Sequence, residues 1–192
     1  MIVTVTLNAA FDRSLTVPVF QLGHRHRSSG VLTLAGGKGI NVARALKRLD
    51  VPVVATGLAG GLTGTRIVEE MTAEAILNDF VRIADESRTS TAVLDPTSGT
   101  YTEINEWGPK ATEAELAVLV EKLHYLSRGS DVVVLAGSLP RGVADGFYAD
   151  VVRDLNRRGV RVVLDSEGEP LRLGVEAEPW LVSPNQDRKS VV

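Results

Sequence analysis

The stretch DVVVLAGSLPRG, residues 131–142, decides how this chain folds. Behind Asp131 the residues are apolar without a break as far as Ala136. A strand with one wet face alternates; a strand that does not alternate is buried on both. The run ends at Gly137 in a turn of serine, proline and glycine. Working outward, the same grammar repeats. Residues 144–158 read as a helix ended by Gly159, 160–164 as another apolar strand, then a short helix and a strand at 180–182. On the other side, 112–126 read as a helix opened by Thr112 and Glu115, a capping-box pair. Doubly buried strands alternating with helices imply a parallel sheet covered on both sides, linked by right-handed crossovers.

The first half carries the same pattern with an addition. Residues 1–7 and 51–56 read as sheet strands, 40–49 and 65–74 as helices, and GLAGGLTG at 57–64 as a glycine loop. Segments 14–20, 28–34, 91–94 and 100–104 alternate polar and apolar residues. They suit a small antiparallel sheet standing off the main one, with a hairpin around residues 95–99.

Composition narrows the function. Apolar residues make up 44% and charged residues 23% of 192, enough for one ordinary globular core. A net charge of −3 gives no basic footprint, so nucleic acid is excluded as a first partner. There is no cysteine, which removes disulfides, thiolate metal sites and a cysteine nucleophile. No apolar run approaches the ~20 residues that span a bilayer, and the first residues, lacking a basic segment followed by an apolar core, are not expected to act as a signal peptide. A cytoplasmic protein without membrane partners is the expectation.

A second stretch, LAGGKGINVARAL at 34–46, raises the question of a phosphate. It fails as a Walker A loop: Gly39 follows Lys38 where Ser or Thr is needed, and Leu32 stands where the first glycine belongs. Residues 57–64 likewise miss the dinucleotide spacing. Yet Gly36 and Gly37 admit a close ligand, the following helix offers free N–H groups, and Lys38 adds a charge. The plain alternative is a glycine turn with a solvated lysine. Asn8 and Asp12 after the first strand, GLAGG after the strand at 51–56 and AGSLPRG after the strand at 131–136 are expected at one edge of the sheet, the layout of a polyol or sugar site.

TLNAAFD, AGGKGINVARAL, GLAGGLTG, TEINEWGP, AGSLPRG and LVSPN occur in this order. Together they resemble the ribokinase-like (PfkB) carbohydrate kinases, in the branch of 1-phosphofructokinase and tagatose-6-phosphate kinase. The resemblance runs from residue 1 to about residue 186. It implies a three-layer α/β/α sandwich with a mostly parallel sheet and a small β lid, its strands within about 13–34 and 90–106. It implies transfer of the ATP γ-phosphoryl group to a hydroxyl of a sugar phosphate, with Mg²⁺. Fructose 1-phosphate, giving fructose 1,6-bisphosphate, is favoured over fructose 6-phosphate and tagatose 6-phosphate on overall resemblance. It also implies pairing of lids in a homodimer.

Carried over by residue, the resemblance makes Asp12 the reader of sugar hydroxyls and lines the sugar with Gly36, Gly37 and Asn41. Lys38 and Arg88 meet the phosphate that the substrate already carries, and Ser138 and Asn105 contact the substrate. Asn185 lies near the triphosphate. The plain alternatives are a capping Asp12, an Asn41 bonded along its own helix, a surface Arg88, and turn-forming Ser138 and Asn105.

There are departures. Ala9 replaces a proline, Ser183 replaces a lysine before Pro184-Asn185, and Arg188 stands where a glutamate helps organise Mg²⁺. No GAGD motif, whose aspartate takes the proton of the attacking hydroxyl, occurs among the 192 residues. The catalytic aspartate is therefore expected beyond residue 192, in a missing C-terminal third. Residues 187–192 are expected to be a non-native tail, and the 192-residue polypeptide to be inactive alone. A non-catalytic sugar-phosphate-binding module is the competing reading.

Overall fold

The computed structural model describes residues 1–183. In chain order the elements are β1 (Ile2–Thr6), β2 (Ala10–Thr16), β3 (Gly30–Gly36), α1 (Lys38–Arg48), β4 (Val53–Gly60) and α2 (Gly61–Ala73). Then come β5 (Leu77–Asn78), β6 (Val81–Ile83), β7 (Arg88–Asp95), β8 (Thr100–Asn105), α3 (Glu113–Ser127) and β9 (Val132–Ala136). The series closes with α4 (Phe147–Arg157), β10 (Arg161–Asp165), α5 (Gly168–Val175) and β11 (Leu181–Val182).

The main sheet has the order β11-β10-β9-β1-β4-β5, with β6 also on β4. All of its pairings are parallel. The alternation of side chains along β1 sorts the layers. Val3 and Val5 join Val133, Leu135, Val162 and Leu164 under α3, α4 and α5, where Leu119, Tyr148, Val152 and Leu171 are buried. The opposite face, with Val53 and Ala55, packs on Ile40 and Ala43 of α1 and on Ile67 and Met71 of α2. The result is a three-layer α/β/α sandwich. The doubly apolar strands read from the sequence are its central strands.

Connections leave β1 toward β4 on one side and enter β9 on the other. The order of the sheet reverses between β1 and β9, and an open α/β sheet has its crevice outside the carboxyl ends of such a pair.

The second sheet has the order β3-β2-β7-β8. It is not purely antiparallel, as the sequence suggested. Its outer pairs are antiparallel, but the central pair, β2 with β7, is parallel from Ala10↔Arg88 to Thr16↔Leu94. The chain enters β2 and β7 from the same edge of the main sheet, so they run alike. The strand expected at 14–20 also lies earlier, at Ala10–Thr16. Pro18 and a left-handed Val19 end it, and the Asp95 carboxylate captures the freed N–H groups of Val19 and Phe20 at 2.9 and 3.0 Å.

The glycine segment 57–64 is not a loop. β4 runs through Gly60 because β6 pairs with Leu58–Gly60, and α2 starts at once at Gly61. Gly57 has φ 146°, and a Cβ there would sit 1.9 Å from the Thr6 carbonyl oxygen, so only glycine lets β4 lie against β1 at that point. The capping box at Thr112 and Glu115 forms as the sequence implies.

Candidate functional site

A cleft of about 820 Å³ opens at the carboxyl ends of β1 and β9, where the sheet order reverses. Asn8 follows β1 and Ser138 follows β9. The Asn8 Nδ2 donates to Ser138 Oγ at 3.1 Å, so the two strand ends meet side chain to side chain. Behind Ser138, Gly137 is pinned: its N–H donates to the Asp165 carbonyl at 2.8 Å. Its own carbonyl accepts from Tyr148 Oη and Ser166 Oγ, both at 3.1 Å. Burial pushes the Tyr148 phenol up, so it stays a neutral donor at physiological pH.

The floor is the start of α1. Gly37 caps the helix with φ 116°, and a Cβ there would press on Thr6 Cγ2 at 2.6 Å. Lys38 is the first helical residue, and its Nζ donates to Asp165 Oδ1 at 3.0 Å. That ion pair ties the start of α1 to the end of β10, and Lys38 lines the cleft. The side-chain oxygens of Thr6 and Asn8 (Oγ1 and Oδ1) are buried without a protein hydrogen bond. Such groups at the bottom of a polar cleft are ready for a ligand or water.

The roof is the lid. Arg88, at the start of β7, reaches the Asn8 carbonyl with Nε at 3.4 Å and Asn105 Oδ1 with Nη1 at 3.3 Å. Asn105 is held by Ser90 Oγ at 2.6 Å. Strand register puts Asp12, Ser90, Asn105 and Arg88 on one lid face. Asp12 is half-buried. Burial pushes its carboxyl up from the ordinary value, opposed by Arg88, reinforced by Glu103 and opposed again by Arg44. Gly36 lies directly beneath it: a Cβ at Gly36 would fall 2.0 Å from Asp12 Oδ2.

Of the residues picked out in the sequence, Gly37, Lys38, Arg88, Asn105 and Ser138 line the cleft. Asp12 and Gly36 stand together at its lid side, outside the lining. Asn41 is exposed on α1 and accepts from Arg44 Nη1 at 2.8 Å, a bond along its own helix. Asn185 lies outside the described residues. The GLAGG segment, expected at the same edge, does not line the cleft. The Glu86 carboxylate occupies the N-terminus of α2 instead, accepting from Thr63 N at 2.6 Å and Leu62 N at 3.2 Å.

The structure adds Arg141, Glu103, Glu106 and Trp107 to the lining. All four sit inside or beside the motifs AGSLPRG and TEINEWGP, which is the only signal the sequence offered. Acidic side chains thus share the cleft with the cations. Glu106 is bound to the Thr89 N–H at 2.8 Å and Glu103 accepts from Ser90 Oγ at 3.3 Å, which keeps both carboxylates on the lid. Among the described residues no three Asp, Glu or His side chains are gathered to hold a metal ion. A Mg²⁺ that enters with nucleotide phosphates needs only one or two carboxylates and so requires no such cluster.

The sequence pattern of the pfkB family carbohydrate kinases matches residues 5–188. The chain belongs to this family. It is 37% identical over 192 residues to a tagatose-6-phosphate kinase of Staphylococcus epidermidis, covering 99% of this chain and 61% of that protein. It is 37% identical over 185 residues to the 1-phosphofructokinase of Bacillus subtilis, covering 96% and 60%. The crystal structure of phosphofructokinase-2 from Escherichia coli in complex with fructose-6-phosphate superposes with a TM-score of 0.93 at 30% identity, over 98% of this chain and 62% of that one. The chain therefore spans about three fifths of the length of the relatives it matches.

Proposed function

We propose that the protein is a sugar-phosphate kinase and that these residues form its acceptor half. They hold a sugar that already carries a phosphate, while ATP, which the family implies as co-substrate, donates the group. The observation that carries this reading is the meeting of two strand ends at the reversal point of the sheet, with Lys38 below and Arg88 above. A neutral sugar needs hydroxyl partners only. Two cations converging with Asn8, Ser138 and Asn105 supply partners for both hydroxyls and a phosphate.

Fructose 1-phosphate is the substrate we favour, with fructose 1,6-bisphosphate as product. The similarity to a 1-phosphofructokinase supports it; the equal similarity to a tagatose-6-phosphate kinase supports the neighbouring choice. Positioning the acceptor hydroxyl against an incoming phosphoryl group is the work assigned to Asp12, Asn105 and Ser138. The proton-accepting aspartate is assigned to residues outside this sequence.

A second copy of the chain is the proposed partner, bound through the lid. Leu32, Leu34, Leu94 and Tyr101 are exposed on the same lid face as Asp12 and Asn105, an apolar rim around the polar centre.

The test is ATP-dependent turnover of the natural protein with fructose 1-phosphate, fructose 6-phosphate and tagatose 6-phosphate. Turnover with one of them, lost on replacing Arg88 by Ala, supports the reading. Saturable binding of all three without ADP release identifies a non-catalytic binding module instead.

A further inference from the structure

Of the four chain connections between the lid and the main layers, two are the stalks that flank β7 and β8, residues 84–87 on the way in and 106–112 on the way out. Both pass the loop that carries Ser138. The Asp85 carboxylate stands between them: its Oδ2 accepts from the Lys110 N–H at 2.7 Å and from Arg141 Nη2 at 3.4 Å. Arg141 Nε donates to the Gly108 carbonyl at 2.7 Å. The backbones close the same junction, Arg141 N to Pro109 O and Ala111 N to Arg141 O, each at 3.0 Å. One carboxylate and one guanidinium therefore join three segments that lie far apart in sequence. The bonds Asp85 receives hold its carboxyl below the ordinary value, the Lys110 N–H foremost, then the Glu86 N–H and the Arg141 charge.

The junction leads on to the substrate groups. Gly108 packs so closely on Asn8 that a Cβ there would lie 2.1 Å from Asn8 Oδ1. Asn8 in turn holds Ser138. Asn105 and Trp107, on the outgoing stalk side, face the same cleft. Gly108 and Asn8 therefore stand in line between the outgoing stalk and Ser138.

We propose that Asp85 and Arg141 are positioning residues: together they clamp both lid stalks to the Ser138 loop, so that the lid groups and the strand-end groups close on the sugar phosphate in one fixed geometry. The ion pair itself is exposed and adds little stability. Its effect lies in geometry, where displacements below 1 Å already weaken binding and reaction. This inference rests on the sugar-phosphate reading for its consequence, though not for its structural part.

The experiment uses the full natural protein with Asp85→Ala, Arg141→Met and the double substitution, in two measurements. The first is amide hydrogen exchange in 107–111 and 137–142, which needs no activity. Each single substitution should speed exchange at Lys110 and Ala111 by about tenfold with little change in melting temperature. Wild-type exchange in both variants overturns the clamp. The second is steady-state kinetics with fructose 1-phosphate. Each single substitution should raise KM for the sugar phosphate about tenfold, leave KM for ATP within about twofold, and the double should be no worse than the worse single. A fold defect would lower kcat and spare KM. A direct phosphate contact by Arg141 would leave Asp85→Ala like wild type, and that too overturns the proposal. If the wild type neither binds nor turns over a sugar phosphate, the functional reading fails, and the exchange data alone decide the clamp.

Discussion

Replacing Gly39 by alanine sets two rules against each other. Gly39 is the second residue of α1, and alanine is favoured over glycine in a helix by about 1 kcal/mol. By propensity alone the variant should be more stable. The packing says otherwise. A Cβ at Gly39 would stand 2.5 Å from Thr6 Oγ1 and 2.7 Å from the Val5 carbonyl oxygen, where ordinary contact begins at 3.4 Å. To reach that separation α1 has to withdraw from β1 by roughly 0.7–0.9 Å, because the backbone oxygen cannot turn aside. Overpacking of this kind costs about 1–3 kcal/mol. Net of propensity, the variant should lose about 1 kcal/mol and melt about 2–4 °C lower for a domain of this size. Lys38 travels with the helix, so affinity for fructose 1-phosphate should fall about tenfold. Differential scanning calorimetry and titration calorimetry read the two effects. Gly129→Ala, with nothing within 4 Å of the new Cβ, is the control and should be neutral. A Gly39→Ala protein that melts higher than wild type and binds as well would refute the packing argument.

Three further outcomes follow from the site and the lid. Asp12 has its carboxyl pushed up by burial, so the ionised form opposes folding: that group's stability is whole below its unfolded value near pH 4 and is lost as pH rises through the folded value. Asp12→Asn should therefore melt higher than wild type at pH 7, converge with it below about pH 4, and bind sugar phosphate poorly. Asp95 has the opposite sign. Burial alone would raise its carboxyl, but the bonds from Thr97 N, Ser98 Oγ, Phe20 N and Val19 N hold it well below the ordinary value. Asp95→Ala should release the lid tip, seen as faster amide exchange at Val19 and Phe20. In wild type the same contribution is whole above the unfolded value near pH 4 and fades gradually as pH falls from there toward the depressed folded value, so mild acid should leave the tip closed. Trp107 lines the cleft yet is 86% exposed, so its fluorescence should change on titration with fructose 1-phosphate in a Trp180→Phe background. An unaltered spectrum at saturation would place the ligand elsewhere.

What could be read from the sequence was local. The unbroken run before Gly137 showed a doubly buried strand, and Thr112 with Glu115 showed a helix start, because neighbours within four residues decide both. The motif order carried the three-layer fold and put Lys38, Arg88, Asn105 and Ser138 near one another. Pairings between distant segments were not readable. Nothing in 10–16 or 88–95 says that these strands run parallel, since direction depends on where each leaves the main sheet. β5 and β6 are too short to show a period. Glu86 gives no sign that it fills the N-terminus of α2, and Asn8 gives none that it bonds a serine 130 residues on. Arg141 and Asp85 look like ordinary surface charges until they are seen to meet at the outgoing lid stalk.

The central claim is that the cleft selects a sugar already bearing a phosphate, and the direct measurement is the comparison of fructose with fructose 1-phosphate as acceptors for the full natural protein at fixed ATP. Loss of a charge-assisted phosphate contact to Lys38 and Arg88 together should cost about 3 kcal/mol or more, so kcat/KM for fructose should be at least about a hundredfold lower. Equal use of the two acceptors would contradict the account, because Lys38 and Arg88 would then have no phosphate to hold.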